Sequence, residues 1–227
     1  MARDLGDVLA DVFGRHAPTR TIQAGAREAA VLIPIVATDR RSDPNLIFTV
    51  RTENLPSHRG QIAFPGGSID PDDRTPRDTA LREAQEEIGL DPAYVRIVGE
   101  LDTFPTYVTG YVITPFVGWI DHQPDLVPNP GEVAEVLHVP LQSLTDEIRS
   151  EPGFERAGRV YPTEAWVWHD YVIWGVTARI VRKLLMRLSD AGLVPSPGPD
   201  PWIRMVPPDL EDLPDWLRKQ DRPESPA

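Results

Sequence analysis

Three glutamates, Glu83, Glu86 and Glu87, follow Arg82 in the stretch ALREAQEEIGL. On an α-helix each residue advances about 100°, so these carboxylates share an arc of roughly 100°. With Leu81, Ala84 and Ile88 as the buried stripe and Ala80 at its edge, the acids are expected on the opposite face. Clustered carboxylates repel one another, so the arrangement is costly unless cations occupy it. Hard oxygen ligands at this spacing suit Mg2+ or Mn2+, which keep some of their water and also take phosphate oxygens. An ion held there would draw charge from the phosphorus of a diphosphate and acidify a water molecule, whose proton a glutamate can accept. Arg82 precedes Glu86 by one helical turn and can hold a carboxylate in orientation. Upstream, the Gly66-Gly67 turn lets backbone approach a ligand or the helix closely and tolerates a positive φ. A run such as REAQEE is also what a solvated helix face looks like. The full order, Gly-Gly, acidic loop, Arg-Glu-x-x-Glu-Glu-x-Gly-apolar, is much rarer than the run and favours the metal reading.

Ordered elements must hold this cluster. Asp4–His16 carries a helical apolar stripe at Leu5, Val8, Leu9, Val12 and Phe13. Ala29–Thr38 reads as a buried strand, and Leu46–Arg51 as its hairpin partner across a polar turn. A short strand at Gln61–Phe64 stops at Pro65-Gly66-Gly67, and a loop rich in Asp and Pro follows. Arg77–Gly89 is the clearest helix, with Thr75 able to cap it, Pro76 in its first turn and Gly89 ending it. Val95–Leu101, Gly110–Ile120 and Glu135–Val139 read as strands, Pro140–Ile148 as a short helix, and Val160–Tyr171 as one or two strands. Tyr171–Leu188 reads as a long amphipathic helix with Ile180, Leu184, Leu185 and Leu188 inward. Beyond Pro195 the chain turns Pro-rich; there Trp202 and Trp216 can pin it to the body or to a second subunit, so a homodimer stays open. The organisation read from this is an N-terminal helical extension over 1–25, a catalytic domain over 26–190 and a tail over 191–227.

Bulk properties narrow the class. At 227 residues the chain can bury one sizeable α/β core. No cysteine is present, which excludes disulfides, thiolate ligands and a cysteine nucleophile. The net charge of −12 disfavours nucleic-acid binding, while local arginines and a cation still permit a small anionic substrate. No apolar run is long enough for a membrane helix, and the acidic N-terminus lacks the features of a secretory signal, so a cytoplasmic protein is expected.

The string GGSIDPDDRTPRDTALREAQEEIGL resembles the Nudix box, G-x5-E-x7-R-E-U-x-E-E-x-G-U, where U is a bulky apolar residue. Arg82, Glu83, Glu86, Glu87, Gly89 and Leu90 match its second half in register. The first half departs: Asp73 stands where the glutamate is due, and the loop is one residue longer, which sets Asp73 aside as a doubtful equivalent. Upstream, IFTVRTENLPSHRGQIAFPGG over Ile47–Gly67 resembles the signature of the coenzyme A diphosphatase subfamily, with Pro56 where that signature has Arg. TFPTYVTGYVITPFVG and IWGVTARIVRK resemble its later segments, so the likeness spans roughly residues 28–185. The resemblance implies an α/β Nudix fold, an α/β/α sandwich around a mixed sheet. It implies an enzyme that uses Mg2+ or Mn2+ to hydrolyse CoA or acyl-CoA to adenosine 3′,5′-bisphosphate and (acyl-)4′-phosphopantetheine. Glu83, Glu86 and Glu87 are then the metal-binding and catalytic acids, and Arg82 their orienter. The charged substrate needs further contacts, for which Arg51, His58, Arg59, Gly66 and Gly67 are the candidates. Glu132 or Glu135 falls where such enzymes place an additional acid. The Trp166, Trp168, Tyr171 and Trp174 cluster is read as core rather than as a platform for adenine. Two rivals stay open: a Nudix hydrolase of another diphosphate such as ADP-ribose, and a Nudix-fold binding protein without catalysis.

Overall fold

The computed structural model describes residues 3–21, 23–38, 43–52, 60–106, 110–150, 153–156, 159–162 and 164–198, with backbone only over 153–162. Pro56, His58, Arg59, Trp202 and Trp216 lie outside the described residues.

Helix α1 (Leu5–Gly14) comes first, followed by strands β1 (Arg27–Val36), β2 (Asn45–Arg51), β3 (Ile62–Ala63) and β4 (Gly66–Ser68). Helix α2 (Pro76–Ile88) precedes β5 (Arg96–Glu100), β6 (Phe104–Pro105), β7 (Tyr111–Ile120) and β8 (Val133–Pro140). The chain continues with β9 (Arg149–Ser150), β10 (Gly153–Arg156), β11 (Arg159–Pro162), β12 (Ala165–Trp168), β13 (Tyr171–Trp174) and α3 (Gly175–Asp190). Among the described residues the main sheet has eight strands and is mixed: β1 runs parallel to β7 along its whole length and antiparallel to β2 and β4.

β1 alternates its large side chains between two cores. Ala30, Leu32 and Val36 join Ala80, Ala84 and Ile88 of α2, while Ile33 and Ile35 join Leu9 and Phe13 of α1 and Ile180, Leu184 and Leu188 of α3. That two-sided burial is why the strand reads as an unbroken apolar run. Gly99 on β5 has no side chain where Phe13 packs, which brings α1 close to the sheet.

β1 and β2 pair only at Ile35↔Leu46 and Val36↔Asn45, so the expected hairpin covers just their near ends. Beyond it the strands diverge. β2 continues against β8 and β3, and β1 continues against β4. The β3–β4 turn therefore sits in the split, and α2 packs over β1 and β4 beside it.

Two expectations are corrected. Tyr171–Trp174 is a strand paired with β12, and the helix begins only at Gly175, whose φ of 65° breaks the extended run. The alternating Tyr-Val-Ile-Trp residues suit a hairpin, and the helical stripe starts after them. Pro140–Ile148 forms two separate 3-10 turns, at Leu141–Ser143 and Asp146–Ile148, rather than one helix.

A buried ion pair ties the last helix to the small β9–β12–β13 sheet. Arg182 forks onto Glu164, which is fully buried, and also donates to the carbonyls of Pro197 and Gly198. No helix among the described residues is long and apolar enough to cross a membrane.

Candidate active site

Helix α2 starts where local chemistry sets it. Thr75 Oγ1 accepts the Asp78 N–H at 3.3 Å, Pro76 occupies the first turn, and Gly89 ends the helix at a φ of 68°. Gly89 and Leu90 donate back to Gln85 and Ala84 carbonyls, closing the terminus. Ala80 and Ala84, being small, let the helix backbone lie close to the sheet, and Ile88 packs fully beneath it.

That contact fixes which way the glutamates point, and it corrects the helical-wheel expectation. The buried stripe centres on Ala80 and Ala84, with Leu81 only partly covered. Glu87 lies seven residues past Ala80, so it falls within about 20° of it on the wheel. It is accordingly buried, at 4% exposure, and does not share an open face with Glu86. Its carboxylate accepts the Gly66 N–H at 3.2 Å and stands 3.9 Å from Arg51 Nη1. Burial, together with the neighbouring Glu83 charge, pushes the Glu87 carboxyl up to about 7, against the pull of Gly66 and Arg51. Glu83 is half-buried and is also raised, by burial first, with Arg82 opposing. Glu86 is exposed.

Arg82 organises the remainder. Its Nε and Nη2 reach the two oxygens of Asp73 at 3.0 and 2.9 Å. Nη1 donates to both Glu83 and Glu86 at 2.9 Å, and Nη2 also touches the Ser68 carbonyl at 3.4 Å. Asp73 accepts from Thr79 Oγ1 and from the Asp70 N–H, and the Arg82 guanidinium holds its carboxyl well below the usual range. The extra loop residue therefore does not uncouple Asp73 from the helix. Asp73 is anchored on Arg82, a coupling that the broken sequence register concealed.

The two glycines act through close approach. Neither has a positive φ. A Cβ at Gly66 would strike the Ala30 carbonyl and lie 2.6 Å from Val31 Cα. A Cβ at Gly67 would lie 2.5 Å from the Glu83 carboxylate.

Arg51 completes the cluster at the end of β2. Its Nε is buried and has no hydrogen-bond partner among the described residues. Glu132 lies on the loop that enters β8, and its charge is felt at both Glu83 and Glu87. Glu135 is turned elsewhere and accepts the Tyr171 hydroxyl at 2.8 Å. Of the aromatic cluster, Trp166 is core and bonds the Ala178 carbonyl, whereas Trp174 is 42% exposed, so the expectation of a common buried set holds only in part.

Among the described residues no three acids or histidines stand gathered as a ready metal cage, and Arg82 lies on Glu83 and Glu86. The donor chemistry nevertheless fits a divalent cation. Two covered carboxylates with raised pKa values lie beside the turn, Glu87 on the Gly66 N–H and Glu83 in the space a Gly67 side chain would fill.

A helix bearing buried and half-buried acids, set in the split of a mixed sheet and braced by an arginine, defines a site for charged phosphate chemistry. The chain belongs to the Nudix family: the NUDIX domain model matches residues 26–163. Its activity is that of a Nudix diphosphatase, and Nudix hydrolases generally use divalent metal ions. The chain is 39% identical over 165 residues to the uncharacterized Nudix hydrolase NudL of Pectobacterium atrosepticum, covering 72% of this chain and 84% of that one. It is likewise 39% identical over 166 residues to NudL of Escherichia coli K12, covering 72% and 83%. A MutT/nudix family protein from Enterococcus faecalis shares the fold, with a TM-score of 0.50 and 14% identity over 83% of this chain and 70% of that one.

Proposed function

We propose that this enzyme hydrolyses the diphosphate of CoA or acyl-CoA, giving adenosine 3′,5′-bisphosphate and 4′-phosphopantetheine or its acyl form. Water adds to one phosphorus, the bridging P–O bond breaks, and the proton released passes to a carboxylate. The observation that carries this reading is Arg51. It lies within the segment resembling the CoA-diphosphatase signature, and its buried Nε is an unspent donor beside Glu87. An orphaned guanidinium N–H next to a carboxylate cluster suits an anionic ligand that arrives with the substrate.

Glu83, Glu86 and Glu87 would hold Mg2+ or Mn2+, which when bound neutralises diphosphate charge and acidifies water. Arg82, itself anchored by Asp73, orients Glu83 and Glu86. Gly66 fixes Glu87 through its N–H, and Gly67 admits the Glu83 carboxylate. Glu132 supplies a fourth acid to accept the proton. His58 and Arg59, also within the signature segment, are assigned to the outer phosphate of the substrate.

The test is turnover of CoA, ADP-ribose and diadenosine polyphosphates side by side with Mg2+ or Mn2+. Preferred cleavage of CoA supports the reading; preferred cleavage of ADP-ribose overturns it.

A further inference from the structure

The segment between β7 and β8 grips the end of α2 and the end of β2 at once. Val127 donates its N–H to the Ile88 carbonyl at 2.9 Å, and Asn129 donates to the Glu87 carbonyl at 2.8 Å. Carbonyls in the last turn of a helix have no partner inside it, so the loop supplies what α2 lacks. Asn129 then turns the chain back on itself. Its side-chain oxygen accepts the Gly131 N–H at 3.1 Å, and its carbonyl accepts the N–H groups of Glu132 and Val133 at 3.0 and 2.8 Å. The far side of the turn is fastened to β2, because Thr52 donates from its N–H to the Glu132 carbonyl and from its hydroxyl to the Gly131 carbonyl. Val133 in turn pairs with Arg51.

One residue thus links the backbone of Glu87 to the backbone of Glu132, and that turn is tied to the strand that carries Arg51. We propose that Asn129 is a positioning residue of the diphosphatase site, acting through Glu132 by holding its turn in register with the end of the catalytic helix. The proposal rests on the diphosphatase reading and on Glu132 as its proton acceptor, but not on the choice of CoA as substrate. Neither the metal-ligating residues nor the signature segment includes Asn129. The Asn-Pro-Gly sequence at 129–131 marks a turn without showing what the turn holds.

A double-mutant cycle on the full chain tests it, run on whichever diphosphate the wild-type enzyme hydrolyses. Loss of the side-chain acceptor in Asn129→Ala should lower kcat about tenfold with KM and melting temperature near wild type, as expected of a displaced catalytic group. Asn129→Ser keeps an oxygen able to accept from the residue two positions on, and should restore most of the rate. Glu132→Gln should be slower than Asn129→Ala, and adding Asn129→Ala to it should cost nothing further, because both act through one carboxylate. Additive losses, an unchanged kcat in Asn129→Ala, or a fall in kcat matched by a fall in melting temperature would each overturn the proposal. A wild-type enzyme that cleaves ADP-ribose and not CoA would refute the substrate assignment and leave the cycle to be read on ADP-ribose.

Discussion

Replacing Gly67 by alanine separates the demands of the site from those of the fold. The added Cβ would lie 2.5 Å from Cδ and Oε1 of Glu83 and 2.8 Å from Oε2. Non-bonded carbon contacts settle at about 3.5–4.0 Å, so the carboxylate must withdraw by about 1 Å. A misplacement of that size at a catalytic group costs roughly 100-fold in rate. The fold should hardly notice, because the obstructing atoms are the end of a flexible side chain. A cost below about 1 kcal/mol would move the melting temperature by no more than about 4 °C in a chain of this size. Gly66→Ala is the contrasting substitution. Its Cβ meets the Ala30 carbonyl and Val31 Cα, backbone atoms that can yield only by parting β4 from β1. The assay is kcat for diphosphate cleavage beside a thermal melt for each variant. Gly67→Ala should lose rate while keeping its melt, and Gly66→Ala should lose its melt. A Gly67→Ala enzyme with wild-type kcat, or one that unfolds as early as Gly66→Ala, would refute this account of the turn.

Two further outcomes concern Arg82 and the partly buried His138. Arg82→Lys removes the fork on Asp73 and the shared donor to Glu83 and Glu86, so kcat should fall at least about tenfold; an unchanged rate in steady-state assays would remove Arg82 from the site. His138, half-buried on β8 with an unpartnered Nδ1 among the described residues, has its pKa lowered from 6.5 by burial. The unfolded chain then binds the proton more readily than the native one. This contribution to stability is intact above pH 6.5 and lost as pH falls through 6.5 towards the lower folded value. His138→Phe should flatten the corresponding part of a denaturation-versus-pH curve, and an unaltered slope would exclude His138 as its source.

The start and stop of α2 were legible because their signals are local: Thr75 and Pro76 at one end, Gly89 at the other. The burial of Glu87 was not, because choosing Leu81 over Ala80 as the centre of the stripe rotates the helix. Only the fit of two alanines against β1 decides between those choices. Asp73 was obscured for a related reason. Register along the sequence measures loop length, whereas a loop can absorb an extra residue and still return its side chain to Arg82. The β13–α3 boundary was lost because the apolar residues of a strand and of a helix run together, and only Gly175 marks the join. The grip of Val127 and Asn129 on α2 joins backbone atoms about forty residues apart, a kind of pairing that side-chain patterning does not encode.

CoA is the substrate proposed for this diphosphatase site. The most direct measurement is product analysis of CoA turnover in H218O with Mg2+ or Mn2+. The account predicts adenosine 3′,5′-bisphosphate and 4′-phosphopantetheine, with one solvent oxygen in one of the two new phosphate groups, and loss of both products in Glu87→Gln. Release of inorganic phosphate from an intact diphosphate, or undiminished turnover in Glu87→Gln, would contradict it.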